Sequence, residues 1–77
     1  MTNANYVIEK MEITEEQNGA TFGIALGHNE KSNMWVTWCF KASENEKKEI
    51  EFFWGHYYER ENDAIVDYHQ RIIDALK

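Results

Sequence analysis

The chain has 77 residues, of which 43% are hydrophobic and 14% aromatic, with fourteen acidic residues against eight basic ones. The formal net charge of −6 repels phosphate backbones, which disfavours direct binding to DNA or RNA. No stretch approaches the roughly 18–20 apolar residues needed to cross a bilayer, so we expect no membrane partner either.

Cys39 is the only cysteine, so no disulfide framework can stabilise this short chain. The first residues contain neither a basic residue nor the apolar run of a secretory signal. These features predict a reducing, cytoplasmic location. They also predict a single small domain over residues 1–77, with a core that depends on aromatic side chains.

Apolar residues alternate with polar or small ones over the first three quarters of the chain, which is the period of β-strands. Turn signals separate the segments, above all the hairpin signal Asn18-Gly19 and a polar third loop over residues 42–48. We predict four strands, at about residues 6–14, 21–27, 34–41 and 49–58.

The period then changes to that of a helix, with apolar residues at Ile65, Tyr68, Ile72 and Leu76. We predict a helix over about residues 63–75, with Asn62 or Asp63 as its N-cap. Arg71 is spaced for surface ion pairs with Asp67 or Asp74.

A meander of the four strands brings large apolar residues onto one face of the sheet. Between the first two strands it pairs Met11 with Ile24 and Ile13 with Phe22. Between the second and third it pairs Ile24 with Val36 and Phe22 with Trp38. Between the third and fourth it pairs Val36 with Trp54 and Trp38 with Phe52. The helix would dock on this face and cover Trp38 with Tyr68 or Ile72. The predicted fold is therefore α+β, a four-stranded antiparallel meander sheet with one C-terminal helix packed on one face.

The same register leaves the other sheet face open, with the aromatic residues Trp35, Phe53 and Tyr57 on adjacent strands. Clustered exposed aromatic side chains are typical of interfaces, so we expect these three to form an interaction surface.

Two alternatives to this surface stay open. The N-terminal segment around Tyr6 and Ile8 could fold across the open face, or Trp35 could merely shield the backbone of Gly55.

Glu49 and Glu51 extend the predicted interaction surface. They would project from one side of a strand about 7 Å apart, which is close to the spacing of phosphates along a nucleic-acid strand. Glu49 would also pair with Lys41 across the strands. The alternative is that these acids only keep the surface soluble.

Candidate catalytic and metal-binding residues are sparse. Cys39 could act as a nucleophile with His28 or His56 as base, but no local signature favours this arrangement over a small buried cysteine. The three histidines and Cys39 lack the close pairs of a zinc site. We therefore expect no catalytic residues, no cofactor and no metal.

The sequence favours a non-enzymatic, acidic protein-interaction module whose partner is another protein or a second copy of itself. Size and charge suit an inhibitor carried by a phage or mobile element, acting as an acidic decoy for a nucleic-acid-binding protein. One alternative is a structural homodimer that pairs through its open aromatic sheet face. A small enzyme or metal-binding protein is a further alternative.

Overall fold

The computed structural model describes residues 1–43 and 49–77, so most of the predicted third loop lies outside the described residues. Within them the chain forms β1 Thr2–Asn3, β2 Tyr6–Gln17, β3 Ala20–Asn29, β4 Met34–Ser43, β5 Ile50–Tyr58 and α1 Glu61–Ala75. The strands form one antiparallel sheet in the order β1-β2-β3-β4-β5. The α+β class and the C-terminal helix are confirmed, whereas the predicted count of four strands is wrong.

The unpredicted strand, β1, depends on a tight turn at Ala4 and Asn5. Both residues have positive φ values, 50° and 70°, as a two-residue hairpin turn of the primed type requires. The turn places Thr2 opposite Val7. Because no glycine marks this turn, the sequence carries no signal for it.

The predicted register of β3 is also wrong. Met11 lies opposite Ala25 rather than Ile24, and Ala25 rather than Phe22 lies opposite Trp38. In each pair the observed partner is an odd number of residues away from the predicted one. Because side chains alternate along a strand, the side chains of β3 therefore lie on the opposite face, relative to its neighbours, from the one predicted.

Further pairs also differ from the prediction, by three residues for Ile24, Phe22 and Val36 and by two residues for Phe52, which therefore keeps its predicted face. Cys39 rather than Val36 lies opposite Ile24, and Lys41 rather than Trp38 lies opposite Phe22. On β5, Phe40 rather than Trp38 lies opposite Phe52, and Tyr57 rather than Trp54 lies opposite Val36.

The observed register is explained by small residues packing against large ones. Gly23, Ala25 and Gly27 of β3 lie opposite the large side chains Phe40, Trp38 and Val36 of β4. A Cβ atom on Gly23 would lie 2.6 Å from the Phe40 ring, which is closer than carbon atoms can approach. The predicted register paired large residues with large ones and left no room for these rings.

The helix docks on the sheet face that carries the other side chains of β3, not on the face that carries Trp38. Ile24 and Leu26 form a buried cluster there with Ala64 and Tyr68 of α1. Partly buried side chains surround the cluster, namely Trp35, Cys39, Tyr58, Ile65 and Ile72.

Trp38 is instead buried by the curl of the sheet. It is 4% exposed, and its ring centroid lies 5.6 Å from that of Tyr6, 5.3 Å from that of Phe52 and 6.5 Å from that of Tyr57. The Tyr6 and Tyr57 rings, from β2 and β5, are themselves 6.0 Å apart. The N-terminal segment therefore does cover aromatic residues, but through Tyr6 and over Trp38.

Helix α1 begins two residues before the predicted start. Its N-cap is Arg60, in an extended conformation and without a side-chain capping hydrogen bond, so the predicted cap at Asn62 or Asp63 is wrong. Glu61 and Asp63 lie in the first turn, where the helix dipole favours negative charge. In the described part of the chain, no helix combines the length and the apolar character that crossing a bilayer requires.

The packing of small residues against large ones predicts the effect of one added methyl group. Gly23→Ala should lower the free energy of unfolding by about 3 kcal/mol, because the Phe40 ring must move and the backbone of β2 is also in the way. Gly27→Ala is the matched control, since its Cβ would meet a side-chain carbon of Val36 at 3.1 Å and should cost less. Urea unfolding followed by circular dichroism measures both. Equal losses would contradict this account of the register.

Candidate functional site along strand β5

Strand β5 is interrupted by a bulge that faces Trp38. Phe53 lies opposite Cys39 and His56 lies opposite Thr37, so Trp54 and Gly55 together face the single residue Trp38. A Cβ atom on Gly55 would lie 2.7 Å from Nε1 of the Trp38 indole, so only glycine fits there. The predicted shielding of Gly55 by a tryptophan occurs, but Trp38 rather than Trp35 provides it.

The bulge turns Trp54 out of the sheet. Trp54 has a φ of 53°, a left-handed conformation that bulky residues rarely adopt, and it is 75% exposed. Its ring lies edge-on to that of Phe53, with ring centroids 5.2 Å apart. Left-handed backbone costs about 1–2 kcal/mol at such a residue, and this kind of strain concentrates at functional sites.

Tyr57 adds a second exposed ring to the same strand, with 55% of its surface exposed. Strand β5 is also an edge of the sheet, because it pairs with β4 alone. An edge strand offers unpaired backbone groups to another protein. We call the exposed side of β5, with Trp54 and Tyr57, the β5 edge surface.

Carboxylates flank the β5 edge surface at both ends. Glu49 and Glu51 lie at its start, Glu59 and Glu61 lie just beyond its end, and all four are exposed. Arg60 is the only lysine or arginine between residues 49 and 61. Lys41 lies opposite Glu51 rather than the predicted Glu49.

A polar cluster beneath α1 anchors the residues that follow the bulge. One oxygen of Asp67 on α1 accepts hydrogen bonds from Oγ1 of Thr37 at 2.6 Å and from Nδ1 of His56 at 2.9 Å. The Tyr58 phenol lies near the Asp67 carboxylate and helps to lower its pKa. The helix thereby holds the end of β5 in place.

Arg71 completes this cluster from the next turn of the helix. Its Nη1 donates to the carbonyl and hydroxyl oxygens of Thr37 at 3.1 and 3.0 Å, and its Nη2 donates to Sγ of Cys39 at 3.0 Å. Thr37 is fully buried, and its hydroxyl both donates to Asp67 and accepts from Arg71. Arg71 therefore binds the sheet, and the predicted ion pairs with Asp67 or Asp74 are wrong.

The cluster changes the pKa of two of its members. Burial alone would raise the pKa of Asp67, but hydrogen bonds from Thr37, His56 and Tyr58 outweigh it and hold that pKa below its ordinary value. Burial, followed by the hydrogen bond to the Asp67 carboxylate, raises the pKa of the Tyr58 phenol. The cluster thus keeps Asp67 charged and Tyr58 neutral.

The chemistry of the cluster is that of an anchor. Asp67 binds His56 through Nδ1 and leaves Nε2 as the free nitrogen, an arrangement also found in general bases. The groups that could act as nucleophiles are already engaged, because the buried Thr37 hydroxyl is bonded to Asp67 and the Cys39 sulfur to Arg71.

Cys39, His28 and His56, considered as a nucleophile with one of two bases, each have another partner in the structure. His28 stacks on Trp35 with ring centroids 4.0 Å apart, and its Nε2 lies 2.9 Å from Oδ1 of Asn33. His56 binds Asp67, and Cys39 binds Arg71. Among residues 1–43 and 49–77, no group of three or more histidine, cysteine, aspartate or glutamate side chains is placed to hold a metal ion.

The predicted aromatic patch is divided between the two faces of the sheet. Trp35 packs against the helix cluster and lies opposite Tyr58, and Phe53 shares its face because it lies opposite Cys39. Tyr57 lies on the other face, opposite Val36. Of the five predicted interaction residues, Tyr57 belongs to the β5 edge surface and Glu49 and Glu51 flank it, whereas Trp35 and Phe53 lie on the sheet face that carries the helix.

Sequence reasoning missed Trp54 and Asp67. Phe52, Phe53 and Trp54 are three consecutive large aromatic residues, and an alternating strand with one buried face cannot bury them all. That run, followed by Gly55, was an available signal for an outward aromatic residue at a bulge. Asp67 lay one residue before the buried Tyr68, which hinted at a polar contact within the helix–sheet interface.

The lowered pKa of Asp67 predicts a pH-dependent effect of Asp67→Asn. A carboxyl whose pKa is lower in the folded state contributes stability above its unfolded pKa, and this contribution is lost as the pH falls through the folded pKa. At pH 7 the variant should be less stable by about 1–3 kcal/mol, and this difference should shrink below about pH 4. Urea unfolding of both proteins at several pH values measures it. A difference that stays constant down to about pH 3 would contradict the assignment.

Comparison of the chain with protein-family models, with curated proteins and with solved structures finds no match. The function is therefore inferred from the geometry of the β5 edge surface and from the charge around it.

Proposed function

We propose that this chain is a protein-interaction module that binds a basic protein partner through the β5 edge surface. The observation that carries the proposal is Trp54, a tryptophan that is 75% exposed and held in a strained left-handed conformation at the bulge of an edge strand. Tryptophan and tyrosine are the residues that most often anchor interfaces, and Tyr57 provides a second exposed ring nearby.

The charge around the anchor supports a basic partner. Glu49, Glu51, Glu59 and Glu61 outnumber the single Arg60 along this segment, and the whole chain carries a net charge of −6. Such a field attracts a positive surface and speeds its association. It also repels a second copy of the same edge, which disfavours edge-to-edge pairing between identical chains.

The finer form of the proposal concerns what the partner does. A positive groove that normally accepts nucleic-acid phosphates has the charge that this surface complements. The chain would then act as an acidic decoy and inhibitor, with Glu49 and Glu51 in place of phosphates and Trp54 as the apolar anchor. A decoy and a nucleic acid must exclude one another from the partner.

Substitution of Trp54 by asparagine separates binding from folding. Asparagine tolerates the left-handed conformation, so Trp54→Asn should relieve backbone strain while it loses the contact with Phe53. We expect a free energy of unfolding within about 1 kcal/mol of the wild type, together with loss of partner binding. Immobilised wild type and variant, exposed to an extract of the cells that express the chain, provide the comparison. Retained proteins are identified by mass spectrometry.

Two further variants make this experiment specific. Ile13→Ser is the matched control, because Ile13 is 57% exposed but lies on β2 rather than β5, and it should retain the partner. Glu49→Lys with Glu51→Lys should release the partner, and wild-type binding should weaken steeply as salt rises. A partner that binds Trp54→Asn as tightly as the wild type would refute the β5 edge surface. Simultaneous binding of the chain and a duplex oligonucleotide to the partner would refute the decoy alone.

A further inference from the structure

The solvent-exposed face of helix α1 carries several large apolar side chains. Val66 is 69% exposed, Ile73 is 51% exposed and Leu76, at the C-cap, is 62% exposed. The helix already buries its opposite face through Ala64 and Tyr68. A helix that covers a sheet normally presents charged and polar residues to water.

These exposed residues follow the heptad spacing of a helix–helix seam. Val66, His69, Ile73 and Leu76 are separated by three, four and three residues, as positions a, d, a and d require. Val66 and Ile73, both β-branched, occupy the a positions, and Leu76 occupies one d position. His69, which is exposed, occupies the other d position. We call these four residues the α1 seam.

The charges beside the seam select an orientation for a second helix. Asp63 and Gln70 occupy the flanking e positions, and Lys77, two residues after the helix ends, continues their spacing of seven residues. In an antiparallel pair of identical helices, Asp63 lies near Lys77 of the second copy, and the two Gln70 side chains lie near each other. A parallel pair would instead align the acidic first turns, which contain Glu61 and Asp63, and both helix dipoles.

We propose that the α1 seam binds the α1 seam of a second copy of this chain in an antiparallel arrangement. The sheet lies on the far side of each helix, so two copies can approach without a clash between sheets. Lys77 contacts Asp74 at 3.7 Å within one chain, but both side chains are exposed and such a pair contributes little stability. Lys77 can therefore leave Asp74 and pair with Asp63 of the second copy.

The size of the seam sets the expected affinity. Helix α1 has fifteen residues and is therefore about 22 Å long, so the pair of helices buries less surface than a standard stable interface. We expect a reversible dimer with a dissociation constant on the order of 10 µM to 1 mM. The seam and the β5 edge surface are different surfaces, so either proposal can fail without the other.

Sedimentation equilibrium of the purified chain, from about 10 µM to about 1 mM, tests the dimer. The wild type should change from monomer to dimer over this range. His69→Leu completes the apolar seam and should tighten the dimer about tenfold or more, whereas Ile73→Glu should leave a folded monomer. A wild type and a His69→Leu variant that both remain monomeric at about 1 mM would overturn the proposal, as would an Ile73→Glu variant that still dimerises.

Exchange of the charges at Asp63 and Lys77 tests the antiparallel orientation of the two helices. Asp63→Lys alone and Lys77→Asp alone should each weaken the dimer several-fold, and the double variant should restore it because the two residues lie together in the antiparallel pair. Circular dichroism confirms that each variant retains the fold. Failure of the double variant to recover wild-type affinity would overturn the antiparallel arrangement.

Discussion

The rest of the structure depends on how the small residues of β3 pack against the large residues of β4. Gly23, Ala25 and Gly27 make room for Phe40, Trp38 and Val36, and this fit fixes which side chains of β3 face the interior of the curled sheet. The remaining side chains of β3, Ile24 and Leu26, must then face the other way. Helix α1 docks where they are, and Tyr68 completes the buried cluster that they form.

The position of the helix in turn determines the polar cluster. Asp67 and Arg71 project from α1 onto Thr37 of the interior strand β4, and the Thr37 hydroxyl bonds to both. Hydrogen-bonded polar groups in an apolar interface cost free energy when they lose their partners, so they favour one docking position of the helix over its neighbours. Because Asp67 also binds His56, the same contacts fix the strand segment just beyond the bulge.

Much of the fold follows from local sequence patterns. Alternation of apolar residues identified the strands β2 to β5, Asn18-Gly19 identified the first long hairpin, and the change of period identified the helix. The pairing of β3 did not follow, because the sequence analysis matched large residues with one another. Steric fit in the folded core matches them with glycine and alanine instead. That one error assigned the helix to the wrong face.

The candidate site was predicted only in part. Tyr57 belongs to the β5 edge surface and Glu49 and Glu51 flank it, but Trp35 was assigned to a surface and lies in the helix–sheet packing. Trp54 was assigned to the core and lies outside it, because a single extra residue in the bulge interrupts the alternation of side chains. Backbone conformations such as the left-handed Trp54 and Ala4 depend on tertiary contacts and leave little trace in composition.

The order of the strands has a consequence for folding kinetics. Every strand pairs only with its neighbours in sequence, so the sheet can assemble from hairpins with short loop closures, which favours fast folding for a β-rich protein. The contact between Tyr6 and Tyr57 is different, since it joins β2 to β5 across two intervening strands and depends on the pairings between them. We infer that curling is a late step. The curl therefore governs how long the native state lasts rather than how quickly it is reached.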